Sequence, residues 1–211
     1  MGKDIIKDTA IGLGKGIVSS IPVGSLFISV IEEVQSGVFR RKQEIWKSMV
    51  EERLQNLENQ VKHNLGNNET FASVLITASR LAQISNEKKM ELLANSVAKA
   101  ATTTLQEDKI IIFLNCIEKY TLSHLKMLYF SQSPDKYVKK EKMMSSILSI
   151  YEDYYPNLNK SLNKIIIQDL YRDGLINTDS YNSTMTWNGC ISKRTTALGD
   201  EMISFFNIHN L

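Results

Sequence analysis

Between Gly16 and Ile31 the chain runs GIVSSIPVGSLFISVI, sixteen residues without a single charge. A helix needs about 20 predominantly apolar residues to cross a bilayer, and Pro22 and Gly24 interrupt this stretch. It is too short and too broken to span as one helix, yet so much apolar surface does not stay in water. Full burial of such a side chain is worth roughly 1.5–3 kcal/mol. The segment must therefore meet a core, a second subunit or a lipid surface. A cleaved secretory signal fits less well, because Asp4 and Asp8 dilute the basic start set by Lys3, Lys7 and Lys15. Upstream of Pro22, Ile5, Ile6, Ala10, Leu13 and Ile17 recur at helical spacing. Gly12, Gly14 and Gly16 lie within that pattern, each costing roughly 1 kcal/mol against alanine. Close helix packing, with Gly12 and Gly16 as a small-residue face, or a lipid interface would offset this cost. Proline lacks a donor and disfavours helical geometry in the residue before it, so the expectation is two helices broken at Ile21–Gly24. Ile17, Ile21, Val23, Leu26, Phe27 and Val30 are the candidate membrane or self-association residues. The basic residues on either side, Lys3, Lys7 and Lys15, then Arg40, Arg41 and Lys42, are placed to meet anionic head groups.

After Pro22 the pattern is helical. A long helix is expected from about Gly24 or Ser25, with a seam of Trp46, Val50, Leu54, Leu57, Val61 and Leu65 ending at Gly66. The seam is too short for a dimeric coiled coil and predicts a bundle helix. A second helix over 69–83 carries Phe71, Val74, Leu75, Ala78, Leu81 and Ala82 inward. Ser85 or Asn86 caps a third, with Met90, Leu93, Val97, Ala100 and Ala101. Thr102–Thr104 is a break, and Glu107 and Asp108 favour the start of a fourth helix, carrying Ile110, Ile111, Leu114 and Ile117. Thr121 or Ser123 opens a fifth, ending at Ser133-Pro134. With only ten glycines and three prolines in 211 residues, the many tight turns of an all-β fold are excluded. Two cysteines exclude a disulfide scaffold and point to reduced thiols.

The order of IPVG in an apolar N-terminus, then EKKMELLANSVAKAA, then EDKIIIFLNCIEKYTLSHLKMLYF resembles a widespread, largely uncharacterised family of bacterial helical proteins. The resemblance covers about residues 10–130, and its motifs are helix-packing motifs. It implies kinship of fold and little about chemistry. Apolar N-terminal segments of this general kind also occur in bacterial membrane-acting and phage-defence proteins, which is an analogy of fold rather than of site.

The last third has a different pattern. Met143, Ser146 or Ile147, Ile150 and Tyr151 or Tyr154 predict a helix stopped at Tyr155-Pro156, and Leu158, Leu162, Ile165, Ile166, Asp169 and Leu170 predict another, ended by Arg172-Asp173-Gly174. Leu175-Ile176 begins a strand. Asn188-Gly189 is a hairpin signal, Cys190–Arg194 is the return strand, and Thr195 or Thr196 caps a last helix. This order resembles a winged helix, with residues 157–172 in the place of the recognition helix. That resemblance implies Asn159, Lys160, Asn163, Lys164, Lys193 and Arg194 as candidate nucleic-acid contacts. The charge argues against that use. From Tyr155 to Leu211 there are five basic and five acidic residues, whereas a DNA reader shows a basic footprint.

No catalytic constellation is legible. His63, His124 and His209 fall in separate segments without a ligand at metal spacing. IGLGKG is not a phosphate loop, because Lys15 is followed by Gly16. His124 is expected to be a packing or hydrogen-bonding residue. The sequence thus predicts a mainly α multi-helix bundle with a small C-terminal winged-helix-like module containing a β-hairpin, in segments 1–66, 67–133 and 134–211. The expected function is non-enzymatic, with no cofactor or metal. The chain is an interaction protein with a protein partner or a second copy, cytoplasmic or peripheral at the inner face of an anionic membrane, in phage defence or stress response. The alternative is a winged-helix transcriptional regulator that binds nucleic acid.

Overall fold

The structure, a computed structural model, describes residues 37–57, 65, 68–139 and 144–209. The expected break at Pro22 and the candidates Ile17, Ile21, Val23, Leu26, Phe27 and Val30 lie outside the described residues. The molecule is mainly helical with one small antiparallel sheet, and it divides into two compact units between Glu107 and Asp108. That boundary falls inside the segment 67–133.

The first unit is built from α1 (Gly37–Gln55), α2 (Glu69–Ile84) and α3 (Glu87–Ala100). α1 turns at Asn56 instead of continuing to Leu65, although Trp46, Val50, Leu54 and Leu65 are all buried as the seam requires. Helix α2 starts where it was expected, because the Asn68 side chain accepts from the Phe71 amide. Its whole predicted stripe, Phe71, Val74, Leu75, Ala78, Leu81 and Ala82, is buried. Asn86 caps α3 in the same way, accepting from Lys89 N, so two turn signals in the sequence become two satisfied helix ends. Polar cross-links fix the register of α1 on its neighbours. Trp46 Nε1 donates to Ser79 Oγ at 3.1 Å, and Lys42 Nζ donates to the carbonyls of Gln83 and Ser85 at 3.2 and 3.0 Å. A lysine there complements the negative end of α2.

In the second unit α4 (Glu107–Lys119) leads through Tyr120 to α5 (Leu122–Gln132) and a 3-10 turn at Pro134–Tyr137. Strand β1 (Met144–Ser145) and α6 (Ile147–Tyr154) follow, then a 3-10 turn at Lys160–Leu162, α7 (Asn163–Arg172), β2 (Met185–Thr186), α8 (Trp187–Ile191) and α9 (Ala197–Phe206). β1 pairs antiparallel with β2, Met144 opposite Thr186 and Ser145 opposite Met185. A single bridge joins Ile176 to Thr195. Phe130, Tyr137, Tyr151 and Tyr155 pack edge-on or tilted at centroid distances of 5.1–6.1 Å and bind α6 to α5 and its following turn.

The expected hairpin is not formed. Asn188-Gly189 lies inside a helix, and Cys190 and Ile191 continue that helix instead of returning as a strand. Thr186 decides this locally, because its hydroxyl accepts from the Gly189 amide and caps a helix where the Asn-Gly pair alone suggested a turn. The paired strands instead come from segments some forty residues apart in sequence. Leu175 and Thr195 do run side by side, since Asn177 N donates to Arg194 O at 2.8 Å and Thr196 N to Leu175 O at 3.0 Å. Gly199 makes that approach possible. A Cβ there would sit 2.2 Å from the Leu175 carbonyl oxygen, so the first turn of α9 rests directly on backbone.

Candidate functional site

The isoleucine run Ile165-Ile166-Ile167 does not by itself settle which way α7 faces, because successive residues step about 100° around a helix. The structure turns Asn163, Ile166, Ile167 and Leu170 inward. Ile165, expected in the core, is 55% exposed, and Leu162 is exposed beside it. Asn163 fixes the register. It is only 3% exposed, and its amide donates to Glu152 Oε1 at 2.9 Å, which satisfies a polar group that would otherwise be costly to bury. A second tie lies at Asp169, which faces His124 from α7. The outward side of α7 therefore presents Lys164, Ile165, Gln168, Tyr171 and Arg172 to solvent.

The residues expected to touch nucleic acid are largely engaged elsewhere. Asn159 accepts from Ser161 N and closes the 3-10 turn. Lys160 pairs with Glu152 at 3.1 Å. Asn163 is buried, which removes it from any base edge. Lys193 pairs with Asp200, and the Arg194 guanidinium donates to the Gly189 carbonyl and sits against Met185 Sδ. Lys164 is exposed with no ion pair among the described residues. The structure thus brings Asn159, Lys160 and Lys164 to one end of α7, while Lys193 and Arg194 serve the α8–α9 connection.

Beneath α7 lies a polar knot that the sequence anticipated only at His124. Tyr120 donates from its hydroxyl to Asp173 Oδ2 at 2.5 Å, and Lys119 reaches the same oxygen at 2.6 Å. Partial burial would raise the Asp173 pKa, but the hydrogen bonds from Lys119 and Tyr120, with the charges of Lys119 and Arg172, outweigh it and hold the carboxyl below its ordinary value. The Tyr120 phenol is pushed up by burial and by its bond to Asp173. His124 stacks on Tyr120 at 4.9 Å. The Thr121 amide donates to His124 Nδ1 at 3.2 Å and the Thr121 hydroxyl lies 2.9 Å from the same atom. A backbone amide can only donate, so Nδ1 accepts, and the ring proton sits on Nε2, 3.4 Å from Asp169 Oδ2. Burial lowers the His124 pKa and outweighs the opposing pull of Asp169.

This arrangement spends the histidine lone pair on the first turn of α5, where a side chain at the third helical position reaches back to the capping residue. Nδ1 is then not free to take a proton from a substrate. Cys116, one turn before Tyr120, has its thiol pushed up by burial, which disfavours the reactive thiolate. Cys190 is shifted in the same direction for the same reason. Among the described residues no group of three His, Cys, Asp or Glu side chains is placed to hold a metal ion. No described helix is long and apolar enough to cross a membrane.

Sequence reasoning missed the outward residues Ile111 and Ile112 on α4, and Leu162, Ile165 and Tyr171 at α7, all exposed. The signal was present in the two triple-isoleucine runs, 110–112 and 165–167. Three consecutive residues sweep about 200° of a helix, so the three cannot share one buried face. No family model, curated protein or solved structure matches the chain.

Proposed function

We propose that the chain is a non-enzymatic interaction protein. Its second unit serves as a winged-helix-like module for protein contact, and the apolar segment 16–31 associates with an anionic membrane surface or a second copy. The observation that carries this reading is the outward side of α7. Apolar Leu162, Ile165 and Tyr171 lie in solvent there, while Lys160 and Arg172 are paired with Glu152 and Asp169. Single exposed apolar residues are ordinary, but three gathered at one short helix suit a contact surface better than a phosphate track. The placement of α7 before the Ile176–Thr195 bridge supports the winged-helix-like reading. The apolar segment is argued from its sequence, since no charge relieves it between Gly16 and Ile31. Kinship with the bacterial helical family, a cytoplasmic location at the inner face of the membrane, and a place in phage defence or stress response belong to the same proposal.

The test uses the full chain, wild type and Phe27→Asp, in anionic liposome co-sedimentation and light scattering, beside selection from a random duplex DNA library near 0.15 M salt, about the physiological ionic strength. The wild type should sediment with vesicles or exceed monomer mass, Phe27→Asp should do neither as well, and no DNA sequence should be enriched. An enriched sequence motif would move the reading to a DNA-binding regulator.

A further inference from the structure

Asn188-Gly189 forms no hairpin turn, yet the pair carries a chemistry of its own. It is the only asparagine in the chain that is followed by glycine. With no Cβ on the second residue, the glycine nitrogen is the backbone nitrogen least hindered from attacking the preceding side-chain amide. Asn188 is exposed, and its carboxamide makes no hydrogen bond among the described residues. The peptide bond that joins the two residues is held from both sides. Its carbonyl oxygen, on Asn188, accepts from Ser192 Oγ at 2.6 Å, and its N–H, on Gly189, donates to Thr186 Oγ1 at 3.4 Å. The next carbonyl, on Gly189, accepts from the Arg194 guanidinium. Attack requires this peptide plane to rotate until the Gly189 nitrogen faces Asn188 Cγ. The helical backbone of α8 and these three side chains oppose that rotation. The electrophile is therefore open to solvent while its nucleophile is restrained.

We propose that Asn188 is a site of spontaneous deamidation governed by the opening of α8. The helix has five residues, of which only Cys190 is buried, so it depends on its partners and opens locally more readily than the core around it. Once it is open, the Gly189 nitrogen loses its proton to solvent and bonds to Asn188 Cγ, and the side-chain nitrogen leaves as ammonia. The cyclic imide that remains takes up water. Opening at one carbonyl gives aspartate, and opening at the other gives isoaspartate, in which the main chain runs through the former side chain. Water is consumed, ammonia is released, and nothing is oxidised or reduced. Either product adds a negative charge. The isoaspartyl product also lengthens the main chain between Trp187 and Gly189, so the contacts with Thr186 and Ser192 no longer fit and refolding does not reverse the step.

The experiment incubates the full chain in neutral to mildly alkaline buffer and follows each asparagine by peptide mass spectrometry, with the isoaspartyl form separated. Wild type is compared with itself in urea at the same pH and with Ser192→Ala, an exposed position. Asn182, exposed in the same unit and followed by Ser183, is the internal control. In urea Asn188 should react faster than every other asparagine. In the native wild type it should react at least tenfold more slowly than in urea. Ser192→Ala should raise the native rate at Asn188 at least threefold and leave Asn182 unchanged. If circular dichroism shows that Ser192→Ala does not fold, Thr186→Val, also at an exposed position, replaces it with the same expectations. An Asn188 no faster than Asn182 in urea, or equally fast in native and unfolded protein, would overturn the proposal. So would a variant that reacts at the wild-type rate, or one that speeds Asn182 and Asn188 alike.

Discussion

His124 shows how one side chain can carry a structural duty that depends on its protonation state. Its neutral form accepts from the Thr121 amide, and protonation at Nδ1 turns that acceptor into a second donor. Around the ring stand Tyr120 on one face, Asp169 and Arg172 from α7, and Lys119 and Asp173 at the ends of α4 and α7. The folded-state pKa lies below the ordinary 6.5 because burial outweighs the attraction of Asp169. The unfolded chain then binds the proton more readily. The stability that His124 contributes is fully present above about pH 6.5 and is lost as pH falls through that value and past the lowered folded one. Asp173 works in a separate window, since its depressed pKa places its loss below 3.8. His124→Gln keeps an acceptor at the third helical position and removes the titration. Urea unfolding of the two proteins between pH 7.5 and 5 should show a decline in the wild type and a flatter profile in His124→Gln. Parallel profiles would mean that the imidazole proton is not linked to folding.

At the level of elements, the register of α7 gives a sharp contrast. Ile166 is buried and Ile165 is exposed, so truncating them should differ although they are neighbours of identical chemistry. Ile166→Ala should cost roughly 2–5 kcal/mol through lost burial and a cavity, and Ile165→Ala should stay within about 0.5 kcal/mol. Equal costs from denaturant melts would mean that the helix is turned the other way. The same contrast explains which elements were legible in the sequence. Helices α2 and α3 were, because Asn68 and Asn86 mark their starts and Phe71, Val74, Leu75 and Ala78, then Met90, Leu93 and Val97, recur at three and four along buried stripes. The break between α4 and α5 at Tyr120-Thr121 was legible for the same reason. The triple-isoleucine runs offered two orientations, and the choice came from distant polar partners, Glu152 for Asn163 and His124 for Asp169. Asn188-Gly189 misled because the Thr186 hydroxyl caps a helix that starts at the next residue, Trp187. Of the candidate site, the sequence marked the helix but not its exposed side. Exposure is decided by which residues α7 buries.

For the whole molecule, the question is whether its second unit is held by its own contacts. Its largest buried side chains, Tyr120, Tyr151, Tyr181, Phe113, Phe130, Phe205 and Phe206, all lie between Asp108 and Leu211. Its polar cross-links are equally internal. Tyr181 Oη donates to Ser131 Oγ at 2.7 Å, Lys109 pairs with Glu201 at 2.7 Å, and the Gln132 amide and Thr195 hydroxyl both reach Asp200 Oδ1, at 3.0 and 2.7 Å. Asp200 is held below its ordinary pKa because those bonds and the Lys193 charge outweigh its partial burial. Hydrophobic burial and satisfied polar groups of this kind are the conditions for a unit that folds alone. About a hundred residues is also enough for a core without covalent staples. A fragment of residues 105–211, which keeps Leu105 and Gln106 before α4, should therefore unfold in one cooperative transition. The Ile166→Ala penalty measured in the fragment should match that in the full chain within about 0.5 kcal/mol if the unit is held by its own contacts. A broad, non-cooperative melt of the fragment, or a penalty that vanishes in it, would show that the unit depends on residues before 105.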